Sequence, residues 1–226
     1  MRQAVAAALD VDVIINKINR GYGRPTALII GKEVQGYPAD LDRRAKIDIA
    51  RAKKLMSDAG YANGFELTID CANSTPFAEI CQAMAPMLSQ IGIKLVPNLV
   101  INANFAPKLQ KYDTSFFLWG WGSTTLDTLY VVQSLIRSVG EEKTGDGDAN
   151  MGRYSNPKLD ALIDRIKVES DFKKRDAMIR DVLTIQRDDL PLIPLIQTVT
   201  AWAMRKNVDG PFAINNVPYF FRFRMN

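Results

Sequence analysis

Apolar residues recur at helical spacing over residues 2–19. Val5, Ala8 and Leu9 share one face, then Val11, Ile14, Ile15 and Ile18 share the next, with Asp10 placed to cap the second piece. Gly21, Gly23 and Pro25 end that pattern. Residues 26–42 have no period and carry Gly31, Gly36 and Pro38, so they read as loop. A helix is predicted next, with Ala45, Ile49, Ala52 and Met56 on one face and Gly60 just beyond its end. Phe65 to Cys71 alternates apolar with polar, as a half-buried strand does. Asn73-Ser74-Thr75-Pro76 then offers capping residues and a proline at the first helical position. The helix that follows has Phe77, Ile80, Met84, Leu88 and Ile91 as its apolar face, and Pro86 inside it predicts a kink. Ile93 to Val100 reads as a second strand, which Pro97 assigns to an edge or a bulge.

A third, buried strand is predicted over Thr114–Trp119, running into the polar and aromatic loop Gly120–Thr125. Leu126 to Ser138 reads as helix, and residues 140–153, rich in glycine and charge, as a mobile surface loop. Two more helices are predicted over 157–168 and 172–189, the latter capped by Ser170 or Asp171. Pro191 and Pro194 bracket an extended run through Val199, Ala201 and Ala203, and the last twenty residues read as loop and strand. Strands alternating with helices predict an α/β fold, a mixed sheet with helices on its faces. Ligands of such sheets sit at the carboxyl ends of strands. Two predicted strand ends carry suitable chemistry: Asp70 to Ser74, including Asn73, and Trp119 to Asp127.

Composition narrows the chemistry. With 226 residues, 47% hydrophobic and 24% charged, the chain can build a core, which excludes disordered and fibrous classes. It contains no histidine, so neither a Ser-His-Asp triad nor a His-ligated metal site is possible within it. Its 29 Lys and Arg against 25 Asp and Glu are dispersed, without the basic stripe that nucleic acid requires. No apolar run approaches the length of about 20 residues that spans a membrane, and Asp10 interrupts the N-terminal segment before a signal-peptide core could form.

Individual candidates sort by the same logic. Gly120-Trp121-Gly122 is too short for a dinucleotide fingerprint and too bulky for a phosphate loop. Asp146-Gly147-Asp148-Ala149-Asn150 opens like a calcium loop, but Met151 stands at the obligatory glycine and Pro157 at the closing glutamate. Cys81 lacks a histidine to activate it, so a bridge to Cys71 is expected, provided the compartment is oxidising. Asp70 and Asp127, one at each strand end, keep a carboxylate-dependent hydrolase open as an alternative. Trp119 and Trp121 fall on one side of the third strand. Trp119 suits a core as well as a cleft. Trp121, between two glycines and followed by Ser123, Thr124 and Thr125, suits a ligand wall of flat apolar area with adaptable hydrogen bonding.

Several blocks taken in order resemble one family. They are Arg2-Gln3-Ala4 with Leu9-Asp10, Gly21-Tyr22-Gly23-Arg24-Pro25, Ala52-Lys53-Lys54-Leu55 with Ala59-Gly60-Tyr61 and Asn63-Gly64-Phe65, Ile91-Gly92-Ile93-Lys94, Trp119-Gly120-Trp121, Tyr154-Ser155-Asn156-Pro157, and Leu190-Pro191-Leu192-Ile193-Pro194. The chain is similar to the C-terminal half of the dipeptide- and oligopeptide-binding extracellular solute-binding proteins (family 5), receptors of ABC importers. The resemblance implies a lobe of the type II periplasmic-binding-protein fold over residues 1–198 and a tail, 199–226, that returns to a first lobe, with the crossing near Thr198 to Met204. It implies a periplasmic or membrane-anchored extracellular receptor whose export signal lies upstream. Its partners would be a peptide or small polar solute and the permease subunits, it would be peripheral to the membrane at most, and a dimer could form through the exposed interlobe face. It further implies no catalysis, no cofactor and no metal. The alternatives are a hydrolase or a protein-interaction domain. Trp121, Gly122, Ser123, Thr124 and Asp127 are expected to line the cleft, with Asn73 from the other strand end. Peptide-binding relatives carry an acid three residues past that tryptophan to hold the peptide amino group. Thr124 stands there instead, and a hydroxyl does not neutralise an ammonium, so the resemblance leaves opine-like, sugar-derived and other small polar solutes open beside a peptide.

Overall fold

The computed structural model describes residues 1–140, 144–215 and 217–226. Helix α1 (Arg2–Ala8) is followed by α2 (Val11–Val13), whose cap is Asp10 accepting from the Val13 N–H at 3.0 Å, and a π turn carries the helix on through Ile18. Strand β1 is the short Arg24–Pro25. The predicted helix begins later than its apolar face suggested, as α3 (Ile49–Asp58). Asp48 caps it through the Arg51 N–H, which leaves Ala45 outside.

At the centre lies a parallel sheet in the order β3-β2-β4. Strand β2 (Phe65–Ala72) leads into α4 (Phe77–Ser89), which crosses over to β3 (Ile93–Val100). The register runs from Phe65 opposite Ile93 to Ala72 opposite Val100. Gly64 and Gly92, both at positive φ, let the two chains approach at the start of this pair. A Cβ on Gly64 would overlap the Gly92 carbonyl. Pro97 sits on the edge strand, where a missing N–H interrupts no ladder on the open side. Pro86 lies on the exposed side of α4, so the carbonyl it cannot serve, that of Gln82, faces water. No side chain caps α4. Pro76 holds the cap position and the Thr75 hydroxyl donates to Glu79 Oε1 at 2.7 Å instead.

Helix α5 (Asn102–Gln110) follows β3, and β4 comes next. Here the expectation of a long buried strand fails. Only Phe117–Leu118 pairs, with Asp70 and Cys71 opposite, and both residues are half-buried. Phe116 contributes one carbonyl to the Asp70 N–H, but Thr114 turns its hydroxyl back on that same carbonyl rather than extending the strand. Helices α6 (Thr128–Leu135), α7 (Pro157–Val168) and α8 (Phe172–Asp189) form the remaining layer. Asp127, Asn156 and Asp171 cap them in turn. The run after Pro191 yields only β5 (Ile196–Gln197), antiparallel to β1, and the tail forms a second ladder, β6 (Val208–Asp209) with β7 (Arg224–Met225). The central sheet is thus wholly parallel, and among the described residues antiparallel pairing occurs in the two short ladders and in an isolated bridge between Phe212 and Pro218.

Two cores flank this sheet. One joins α1, α3 and α4 to the faces of β2 and β3 through Ala4, Met56, Ile69, Met84, Leu88 and Ile93. The other joins α5 to α8 through Leu109, Val132, Leu159, Ile163, Ile179 and Leu183. Two stretches without periodicity feed the second core. Leu28, Ile30, Val34 and Leu41 come from the loop after β1. Ala149 and Met151 come from the stretch expected to be a mobile surface loop, where Asn150 is buried and bonded to the Arg137 and Tyr154 carbonyls. That expectation is corrected for residues 144–153; residues 141–143 lie outside the described residues.

Candidate functional site

Because β2, β3 and β4 are parallel, the segments that leave their carboxyl ends share one edge of the sheet. These are Asn73–Pro76 after β2 and Trp119–Asp127 after β4. The Asn73 N–H donates to Val100 O at 2.8 Å, which ties the first segment to the end of β3. The second crosses the start of α4, so a Cβ on Gly120 would come within 3.3 Å of the Phe77 ring. Cys71 and Cys81 are joined by a disulfide with Cα atoms 6.6 Å apart, which anchors the end of β2 to α4 directly beneath these segments.

Three rings fix the aromatic part of the edge. Trp119 is half-buried against the second core and meets Trp121 edge to face, centroids 5.6 Å apart. Trp121 in turn stacks on Tyr130 of α6 at 5.9 Å and 27°, yet remains 37% exposed. Packing against two neighbours holds the exposed ring in one orientation, so little side-chain freedom remains to be lost when something settles on it. Gly122 is exposed and a Cβ there would meet nothing. Ser123 donates to the Asp127 carbonyl at 3.4 Å, and the Thr124 carbonyl accepts from Asn215 Nδ2 at 3.1 Å. Exposed Asn73, Trp121, Gly122 and Thr124 therefore stand at the same sheet edge.

The carboxylates at this edge are engaged. Asp127 accepts from the Leu129 N–H at 2.9 Å as the cap of α6, and both of its oxygens lie 2.8 Å from Arg175 Nη2. Arg175, buried on α8, is a partner that local sequence could not reveal. The stem is held from a third side as well. Gln35 donates its N–H to Leu126 O, and the Thr128 hydroxyl bonds Gln35 O. Asp70 is buried, accepts from Asn98 Nδ2 at 2.6 Å and lies 3.5 Å from Lys108 Nζ. The two acids considered for hydrolysis are thus each paired with a cation. Asp146, from the segment that opens like a calcium loop, accepts instead from Gln133 and Lys167.

A second network steadies the loop after β1. Asp42 has no exposed side-chain surface and accepts from Arg24 Nη1 (2.7 Å), the Thr26 hydroxyl (2.8 Å), the Ala27 N–H (2.6 Å) and the Tyr37 hydroxyl (2.6 Å). Burial opposes its ionisation, but the hydrogen bonds from Tyr37, Ala27, Thr26 and Arg24 prevail and hold the carboxyl below its ordinary range.

Comparison with known proteins places this geometry in context. Residues 1–142 match the family described as bacterial extracellular solute-binding proteins, family 5 Middle. Heme-binding protein A of Haemophilus influenzae is 25% identical over 223 residues, covering 93% of this chain and 38% of that protein. Glutathione-binding protein GsiB of Shigella flexneri is 21% identical, covering 98% and 44%. Among solved structures, the periplasmic binding protein DppA of Helicobacter pylori, in complex with the peptide STSA, superposes with a TM-score of 0.85 at 22% identity, over 99% of this chain and 43% of that one. The chain spans less than half the length of each. Among the described residues, no helix is long and apolar enough to cross a membrane.

Proposed function

Because the chain belongs to the bacterial extracellular solute-binding proteins of family 5, we propose that it is the ligand-binding lobe of a transport receptor. The receptor captures a peptide or other small polar solute between this lobe and a second one and delivers it to the permease of an ABC importer. It performs no catalysis. It works outside the cytoplasmic membrane, in the periplasm or anchored at the cell surface. Residues 1–198 form the lobe and the tail 199–226 belongs with the second.

One observation carries the reading: a restrained yet exposed Trp121 ring stands beside hydroxyl and amide groups at the carboxyl edge of a parallel sheet. In this role Trp121 is the flat wall of the cleft, Gly122 allows a ligand to approach the backbone, and Ser123, Thr124 and Asn73 supply hydrogen bonds. A solute that touches both lobes favours the closed state by its differential contacts, and hinge closure presents the joined surface to the permease. The relatives' named ligands are heme, glutathione and a peptide, so family membership leaves the solute open.

The test is a thermal-shift screen of small solutes and peptides against the proposed two-lobed receptor, in which this chain is joined to its second lobe (the intact protein below). At least one should raise its melting temperature, and Trp121→Ala should weaken that solute by about tenfold or more, read as the ligand-induced rise above each form's own unliganded melting temperature. A solute that stabilises both forms equally would remove Trp121 from the site.

A further inference from the structure

The two strand-end segments are unusual in what they lack. Residues 72–77 and 119–126 contain no ionisable side chain. The acids at their margins are turned to structural work: Asp70 toward Asn98 and Lys108, and Asp127 toward Arg175 and the Leu129 N–H. Glu79 accepts from the Thr75 hydroxyl through Oε1, while its Oε2 is buried and has no hydrogen-bond partner among the described residues, so this acid lies within α4 and is only half engaged.

We infer that Asp127 and Arg175 form a positioning clamp that holds the Trp121–Thr124 segment while cancelling the carboxylate's charge, so that this lobe takes an uncharged, ring- or plane-bearing part of the solute. The inference rests on the receptor reading given above. The clamp's geometry is that of a support. The bidentate contact fixes the stem of the segment to α8 and the cap fixes it to α6, so no oxygen of Asp127 is left as the sole counter-ion of a ligand. A solute ammonium brought against Trp121–Thr124 would lose its water and meet hydroxyls, a ring and, in Asp127, a partly exposed carboxylate whose charge Arg175 already offsets, so the desolvation of a second cation there goes uncompensated. A sugar face, an acylated amine or a conjugated plane gains from Trp121 and hydrogen-bonds to Thr124 without that penalty.

Matched probes measure this directly. The intact protein is titrated with pairs that differ only in one amine, free or N-acetylated, built on dipeptides and on amino sugars. Affinity is read as the ratio within each pair, so a general loss of stability cancels. The acetylated member should bind as tightly as the free amine or more tightly. The charge-free double variant Asp127→Asn, Arg175→Gln should keep that ratio within about threefold. Arg175→Gln alone strips Asp127 of its cation and should move the ratio at least tenfold toward the amine. A wild-type preference of tenfold or more for the free amine, abolished by Asp127→Asn, would overturn the clamp and leave the receptor reading standing. If no member of any pair binds, the inference falls for both solute classes, and the receptor reading is decided separately by the wider thermal-shift screen.

Discussion

Four donors converge on the Asp42 carboxylate, and they come from a stretch, residues 24–42, with almost no regular structure of its own. The carboxylate takes the place of a backbone ladder in holding Leu28, Ile30, Val34 and Leu41 in the second core. Asp42→Ala removes the acceptor shared by these four donors, leaving the Ala27 N–H and the Tyr37 hydroxyl proton without one while Thr26 keeps Leu28 O and Arg24 keeps the Tyr37 oxygen, and should cost about 3 kcal/mol in urea unfolding. The sign of its pH dependence follows from the lowered pKa. The stabilisation is complete above the ordinary carboxylate range and is lost as pH falls through the depressed folded value. Asp40, held at about 2 by its hydrogen bond with Arg180, titrates in the same direction. Tyr154 behaves oppositely. Burial, then its hydrogen bond to Asp189, pushes it up to about 12, so its contribution persists below the ordinary tyrosine range and fades as pH rises through that value. Urea midpoints should therefore fall on both flanks, and the acid flank should flatten in Asp42→Ala.

At the scale of elements, the disulfide is the tie that fixes the end of β2 to α4. Its two cysteines are ten residues apart, and closing a loop of that length restricts the unfolded chain enough to stabilise the fold by about 3 kcal/mol. The double variant Cys71→Ala, Cys81→Ala should lose that amount. Unreduced protein unfolded in guanidinium should titrate no thiol; two titratable thiols would show the bridge is not formed in the protein as isolated.

Elements with a clear period were legible in the sequence. The helices α7 and α8 span the residues predicted for them, and of Ser170 and Asp171 it is Asp171 that caps α8. The existence of β2 and β3 follows from their residue pattern, and of the edge or bulge that Pro97 allows, the structure shows the edge. Burial without a period was not legible. Met151 and Leu28 enter the core because distant helices close over them, and nothing in their neighbours encodes that. The site divides the same way. The positions of Trp121 and Thr124 follow from the rule about strand ends, whereas the engagement of Asp127 depends on a residue 48 positions later on a helix that had first to be packed.

At the scale of the whole molecule, the tail gathers its own aromatic residues and touches the candidate site through Asn215 Nδ2, which donates to the Thr124 carbonyl. Trp202 stacks on Phe212 at 5.4 Å, and Phe223 meets Phe212 edge to face at 5.9 Å, while Ile214, Phe220, Phe221 and Met225 remain exposed. An apolar surface of this kind suits a segment that belongs against another part of a receptor. Such a surface also gives a lone chain a means to pair with a second copy. The proposed cleft needs contacts from both sides, and a single lobe supplies only one set.

The central claim, a lobe that binds solute only as part of a clamp, is tested most directly by calorimetric titration of the 226-residue chain with a solute that the intact protein binds. The account predicts an affinity at least a hundredfold weaker than that of the intact protein, or no measurable heat. Tight binding with one solute per chain, at the affinity of the intact protein, would contradict it.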